Sequence, residues 1–579
     1  MVSSHKRREV ARIPYMESDV SRMPHEIEAS QVQHLPIVRA YADKMGLVEV
    51  VNQRVATEME VDPGTIVLGL VLDTVSGRSP LYRLEEFFAQ QDTELLLGKE
   101  FSPHALNDDT VGRVLDRLFE VGTMKIFTAC AVRADTRWRL DKHSVHFDTT
   151  SMRVYGDSRL PEERALPFTI THGYSKDKRP DLQQFVLSML CVDHAVPIWG
   201  QPEDGNASDK TLHTTILSEI AQILAPHGVE PRAYIYIADA ALGTEDKLAA
   251  LGDTLFISRF PATYNECARV IQEAVTHETW GEGGLLAQPQ PTPPRPGASY
   301  KTYESAVTLD GKPYRAVVVQ SSAQDKRRLK RLDRALQASA VTLRAAVQGA
   351  EKQEYFCRAD AEAAAEALRA RQTDSHQIAV TVEERPQDGK GRPSPRTPRQ
   401  VKAMRYGLTS SLREHSANLA TKRAEAGGFV WLTNGPQEGP LAHGAGEVLK
   451  AYQEQYGVEQ NFGFLKAPLI VNSLFLKKPE RIEALGLGLL LALLIWRVME
   501  RTMRAHVDAT GPPLTGWEKK KTTRPTAFMM VTKFAGLIVL RVEQQRQLAQ
   551  PFSAVQRQYL TALGLPAACC TTPSSMLPT

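Results

Sequence analysis

Two short segments constrain this chain more than any others, because each is a strand-forming run that ends in a lone aspartate. Ser144-Val-His-Phe-Asp148-Thr-Thr-Ser151 stops at a carboxylate followed by small hydroxyl residues. Ala233-Tyr-Ile-Tyr-Ile-Ala-Asp239-Ala-Ala-Leu-Gly243 is an apolar run, an aspartate, then a turn into a helix. A continuous apolar run is what a strand buried on both faces requires. In open α/β sheets, ligand sites gather at the carboxyl ends of such strands. Asp148 and Asp239 are thus placed to share one site.

A third carboxylate lies far along the chain, in Tyr452-Gln-Glu-Gln455-Tyr-Gly-Val-Glu459-Gln-Asn-Phe-Gly-Phe-Leu-Lys466. Tyr452 precedes Glu459 by seven residues and Lys466 follows it by seven. At 3.6 residues per turn these steps return to nearly one helical face, with Gln455 a turn from Glu459. A carboxylate between a phenol and an ammonium suits a metal-bound phosphodiester: the acid holds the cation and the others hold phosphate oxygens.

Together these elements resemble a DDE-class bacterial insertion-sequence transposase, of the group with a Tyr-x2-Arg-x3-Glu-x6-Lys motif. Tyr452, Glu459 and Lys466 match the motif at its own spacing, and Asp148 and Asp239 match the first two acidic residues. Thr171-His-Gly-Tyr-Ser-Lys-Asp-Lys-Arg-Pro-Asp181-Leu with Gln184–Val192 resembles the family's sequence after the first Asp. Phe429-Val-Trp-Leu-Thr-Asn434 resembles its last strand before the catalytic helix. Gln455 stands where the family has Arg, which removes a bidentate phosphate donor. The resemblance spans residues 140 to 505.

It implies an α/β ribonuclease H-like catalytic core with a large inserted domain, preceded by an all-helical N-terminal domain. It implies that Asp148, Asp239 and Glu459 are catalytic and hold two Mg2+ ions, with Mn2+ able to substitute. One ion would activate a water or 3′-hydroxyl and the other would steady the leaving oxygen. Tyr452, Gln455 and Lys466 would lie along the DNA. An aromatic that stacks on a flipped base falls on Trp431 by counting back from Glu459, and on Phe429 by aligning the Leu-Thr pair; both face one side of the strand. The implied activity is cleavage at transposon terminal inverted repeats and transfer of the 3′ ends to target DNA. The alternatives are a catalytically inactive DNA-binding regulatory relative and a nuclease of the same core without strand transfer. The implied partners are DNA and a second copy of the chain in the DNA complex.

The expected organisation is a disordered lead over 1–25, a helical domain for end binding or dimerisation over 26–138, and the first part of the core over 139–262. An inserted domain follows over 263–426, then the second part of the core over 427–510 and a C-terminal region with a loose tail over 511–579. The insertion is expected because 170 residues separate the strand ending at Ser258 from that starting at Phe429, far beyond a loop. Within it Tyr314–Gln320 reads as a strand and Asp325 to Arg371 as long charged helices. Arg385 to Arg405 carries seven Lys/Arg against one Asp and no Glu, including Arg392, Arg396, Arg399 and Lys402. Threaded with Gly and Pro, it reads as a flexible loop suited to a DNA backbone or to solubility alone.

Composition excludes little: 42% apolar, 24% charged and a net charge of +3 are ordinary for a soluble globular protein. Six scattered cysteines offer no zinc spacing and fit a reducing cytoplasm, nucleoid-associated in this family. No signal peptide is visible. Ala484–Trp496, 13 apolar residues between Glu483 and Arg497, is too short to span a bilayer and reads as a buried core helix; no membrane is expected.

Overall fold

The computed structural model describes residues 27–77, 84–154, 167–176, 179–193, 195–230, 232–238, 248, 251–277, 279–285, 299–322, 325–389, 401–466, 478–543 and 545–573. The lead over 1–25 lies outside them, as do Asp239, Arg392, Arg396 and Arg399.

A nine-stranded mixed sheet organises the molecule. Its strands are β2 (Ser144–Arg153), β3 (Gln184–Val192), β4 (Val196–Glu203), β5 (Ile235–Ala238), β6 (Leu255–Arg259), β7 (Gly281–Leu285), β8 (Ser299–Leu309), β9 (Lys312–Ser321) and β12 (Gly428–Thr433). They lie in the order β4-β3-β2-β5-β6-β12-β9-β8-β7. β2, β3 and β4 form an antiparallel meander, whereas β5 runs parallel to β2 and β6 parallel to β5. β12 then joins β6 antiparallel, and β9 joins β12.

The continuous apolar sequence of β5 is explained by burial on both faces. Tyr234, Tyr236 and Ala238 face the main core, while Ile235 and Ile237 face a second cluster with Ile257, Val317, Val319, Phe429 and Trp431. The second cluster is covered by the helix Ala445–Gln453, through Val448, Leu449 and Ala451. On the main-core side lies the helix Pro479–Thr510, 32 residues long, against β4 and the helices Pro63–Val75, Asp108–Val121 and Thr123–Trp138. It is long and apolar enough to cross a membrane, yet 89% of its most apolar window is buried within the fold.

The insertion differs from a single excursion. β7, β8 and β9 extend the main sheet, because Val317 and Val319 of β9 complete the second cluster beside β12. A separate body begins only at the helix Asp325–Glu351. With Arg358–Arg369 and the hairpin β10 (His376–Asp388) and β11 (Val401–Glu414), it encloses its own core of Leu343, Val347, Ala361, Ala365, Leu368, Ile378, Val380 and Leu408. The basic segment from Arg385 to Arg405 is thus paired strand at both ends, Arg385 opposite Arg405, with 390–400 outside the described residues.

Segments near the two ends of the described residues pack together, and the stretch after Leu563 that reads as loose carries a short helix over Ala567–Cys570. β1 (Ile27–Ser30) pairs with β15 (Val539–Val542), which pairs with β16 (Gln545–Leu548). The short ladder of β13 (Leu514–Thr515) with β14 (Lys521–Thr522) lies nearby in sequence. Arg39 is fully buried and donates through Nη2 to the carbonyls of Cys569 (3.3 Å) and Thr572 (3.2 Å), and Tyr41 Oη donates to Leu563 O at 2.8 Å. A buried guanidinium must be matched by acceptors, and these carbonyls order the tail. Arg39→Ala leaves those carbonyls unsatisfied and opens a gap, so it should cost about 2–4 kcal/mol, read as a lowered urea midpoint.

Candidate active site

β2 delivers Asp148 two residues after His146, which pairs with Ile237 in the last parallel pair among the described residues. On the other side Asp148 stays paired with Met189 of β3. Asp148 is half-buried, and its carboxylate accepts the Thr149 backbone N–H at 2.7 Å. Burial pushes its pKa up to about 6; the Lys176 ammonium and the Thr149 N–H oppose this, and the nearby charges of Asp209 and Glu459 add to it.

Glu459 therefore reaches Asp148 across 311 positions of sequence. It is exposed, in the first turn of the helix Tyr456–Lys466, which packs on β2 through Val458, Phe462 and Leu465. Beneath that helix Asn461 is fully buried, donating to Ala195 O at 2.8 Å and accepting from Arg497 Nε at 2.5 Å. Arg497 also donates to Glu500 at 2.5 Å, and Arg501 pairs with Asp193. These ion pairs fix the helix from its far side.

The single helical face expected for Tyr452, Gln455, Glu459 and Lys466 does not form. The helix is broken at Glu454 and Gln455, where Gln455 N bonds back to Tyr452 O at 3.1 Å and Gly457 N to Glu454 O at 2.8 Å. The cause is that the two halves bury into different cores. Ala445–Gln453 packs on the second cluster and Tyr456–Lys466 on the main one. Tyr452 lies on Trp431, ring centroids 3.6 Å apart at 32°, and Gln455 is drawn inward to 8% exposure. Phe429 meets Trp431 edge-on at 5.5 Å, and with exposures of 9% and 4% both rings are packing residues, not presented for a base. Lys466 ends its helix two turns beyond Glu459, and Lys402 is exposed on β11, within the separate inserted body.

Two residues at this site were not singled out from sequence. Lys176 Nζ donates to Thr149 O (2.8 Å) and Thr149 Oγ1 (2.9 Å) and pairs with Asp209 at 3.2 Å. Asp209 opens the helix Asp209–Leu224 behind the Ser208 cap, and it accepts the Thr149 hydroxyl at 2.6 Å. The sequence signal was present: Lys176 lies in the Gly-Tyr-Ser-Lys stretch, and Ser208-Asp209 is a recognisable helix start. Behind Asp148, buried Tyr236 bonds His213 Nδ1 at 3.1 Å, and its phenol is held well above its usual pKa by burial and by Asp148. His146 is fully buried in the strand.

Among the described residues no group of three or more His, Cys, Asp or Glu side chains is gathered as a metal cage would require, and Asp239 lies outside them. Asp148 and Glu459 nonetheless fit a divalent cation by chemistry: both are hard oxygen donors, and their mutual repulsion and the burial of Asp148 are what a cation would relieve.

Among known families, residues 27–132 match one described as a domain of unknown function, DUF4277. No curated protein matches the sequence.

The raised pKa of Asp148 sets a pH-dependent cost. The folded state holds the proton up to pH of about 6 and the unfolded chain only to about 3.8, so stability falls as pH rises between them. Asp148→Asn removes a cost on the order of 2–3 kcal/mol at pH 8. Metal-free, it should melt above the native protein at pH 8, the gain fading towards pH 4; an equal gain at both pH values would show that Asp148 carries no such cost.

Proposed function

We propose that the chain is a DDE transposase with a ribonuclease H-like core, which cleaves DNA at transposon ends and transfers the 3′ ends to target DNA. The observation that carries this reading is the approach of Asp148, at the end of a central strand, to Glu459 on a helix from the far part of the chain. The strand order β4-β3-β2-β5-β6, an antiparallel meander followed by two parallel strands, supports it. So does the pairing of His146 with Ile237, since each precedes an Asp by two residues in sequence. The family matched at the N-terminus is commonly found in transposase-like proteins.

In this reading Asp148, Asp239 and Glu459 hold Mg2+ or Mn2+. When bound there, such ions would supply Lewis acidity that lowers the pKa of a water or 3′-hydroxyl nucleophile and stabilises the leaving oxygen. Asp148, buried and raised in pKa, gives up its proton to become a ligand. The buried Asn461–Arg497 bond fixes the helix that aims Glu459. Lys466, Lys402 and, by sequence, Arg392, Arg396 and Arg399 engage phosphates. A two-fold pair of protomers on two end duplexes is the simplest assembly that joins both ends to one target, and the work is done on cytoplasmic, nucleoid-associated DNA.

Asp148→Ala, Asp239→Ala and Glu459→Ala should each lower metal-dependent cleavage of terminal-repeat DNA by about a thousandfold or more, with DNA affinity largely kept in a mobility-shift assay. Undiminished cleavage by any of the three removes that residue from the site. Hydrolysis without joined products would favour the nuclease alternative.

Neutralising Arg392, Arg396 and Arg399 should reduce the slope of log affinity against log salt by roughly 0.9 for each duplex phosphate that is no longer neutralised. An unchanged slope makes the segment a solubilising loop.

A further inference from the structure

We propose that Lys176 is a tethered cation of the carboxylate site, which neutralises Asp148 before a divalent ion loads and competes with that ion for it. The inference rests on the reading of Asp148 and Glu459 as metal ligands. It concerns a residue of the Thr171–Leu182 segment, outside the Tyr452-Glu459-Lys466 motif.

The backbone that carries Lys176 is held tightly against the sheet. Thr171 and Gln184 exchange backbone hydrogen bonds at 3.1 and 3.0 Å, and Gln184 Nε2 donates to Tyr174 O at 3.2 Å and Gly205 O at 2.8 Å. Two glycines permit this approach. A Cβ on Gly173 would lie 2.1 Å from Gly205 O, and one on Gly205 would lie 2.0 Å from Gln184 O. Further along, the Lys176 backbone N–H reaches Ser151 Oγ at 3.4 Å, which ties the segment to β2 itself.

The ammonium is then saturated. It has three N–H donors, and the structure supplies Thr149 O, Thr149 Oγ1 and Asp209 as partners. Asp209 is anchored in turn by the Thr149 hydroxyl and by its place in the first turn of a helix, where a carboxylate is favoured. The three hydrogen bonds are thus spent on Thr149 and Asp209, while the charge is spent on Asp148, where it opposes the effects of burial and of the other two carboxylates. Asp148, Asp209 and Glu459 with Lys176 sum to −2, and Asp239 brings the site of the proposed reading to −3, so a first divalent ion leaves a single negative charge to attract a second. A DNA phosphate adds the negative charge that a second ion needs. Lys176 therefore links metal loading to the presence of DNA: it keeps the free protein's affinity for metal low, and the DNA phosphate offers the ammonium an alternative partner.

The test is a Mn2+ titration of DNA-free protein, followed by thermal shift and by calorimetry. Lys176→Met should retain the fold and require about tenfold less Mn2+ for half-saturation, because a unit positive charge has been removed beside the ligand. Lys176→Arg keeps the charge and should stay near the native midpoint, and Asp148→Asn should lose the response. An unchanged or higher Mn2+ midpoint in Lys176→Met, or a fall of the same size in Lys176→Arg, overturns the proposal. A native protein that responds to Mn2+ no more than Asp148→Asn overturns instead the metal-ligand reading beneath it.

Discussion

A carboxylate partly withdrawn from water is costly to ionise, and much of this fold can be read as the means of keeping Asp148 where it is. The strand that carries it stays paired with β3 through and beyond Asp148, while its described parallel pairs with β5 end at His146. The carboxylate thus projects from a rigid strand at the carboxyl end of the parallel pair, where open sheets place their ligands. The surrounding charges then divide by sign. Glu459 and Asp209 increase the cost of ionising Asp148 and Lys176 reduces it, leaving the cluster short of positive charge. A site in this condition is ready to take up a cation, and it is held open by groups that are themselves satisfied.

The broken helix follows from the same need. A sheet buried on both faces requires cover from both, and the chain between Ala445 and Lys466 supplies some of each. A continuous helix could place one stripe on only one face. The break at Gln455 lets Tyr452 lie on Trp431 while Val458, Phe462 and Leu465 turn to the main core. The ion pairs below Asn461 are costly elements to bury, and replacing such groups by apolar ones often gains stability. Their value lies in fixing one register of the helix that presents Glu459.

The strands were the most legible part of the sequence. β2, β5, β6, β9 and β12 fall where apolar runs and β-branched residues place them, because burial on two faces leaves little choice of residue. The long buried helix was legible for the same reason, although its polar ends extend it well beyond Ala484–Trp496. What could not be read was contact between distant segments. Heptad spacing put Tyr452 in line with Glu459, but it carries no information about which of two cores each half packs against. Lys176 is an ordinary lysine in a polar stretch until two glycines 32 positions apart bring its segment to the strand. The tail read as loose, and residues more than 500 positions away, Arg39 and Tyr41, are what hold it.

That closure of the ends has a consequence for how the protein is made. Ile27 pairs with Val542, so the first described strand is completed by one made more than 500 residues later. At roughly 5–20 residues per second on the ribosome, the intervening 515 residues take about half a minute to nearly two minutes. For most of that time the helices Leu35–Met45 and Pro63–Val75 lack the apolar cover of Pro479–Thr510, which is made late in the interval. The body from Asp325 to Glu414, with its own core and neighbouring strands in hairpin register, can close as soon as it emerges. Assembly of the chain is therefore ordered from its middle outwards, and the nascent N-terminal third is the stretch most in need of a chaperone.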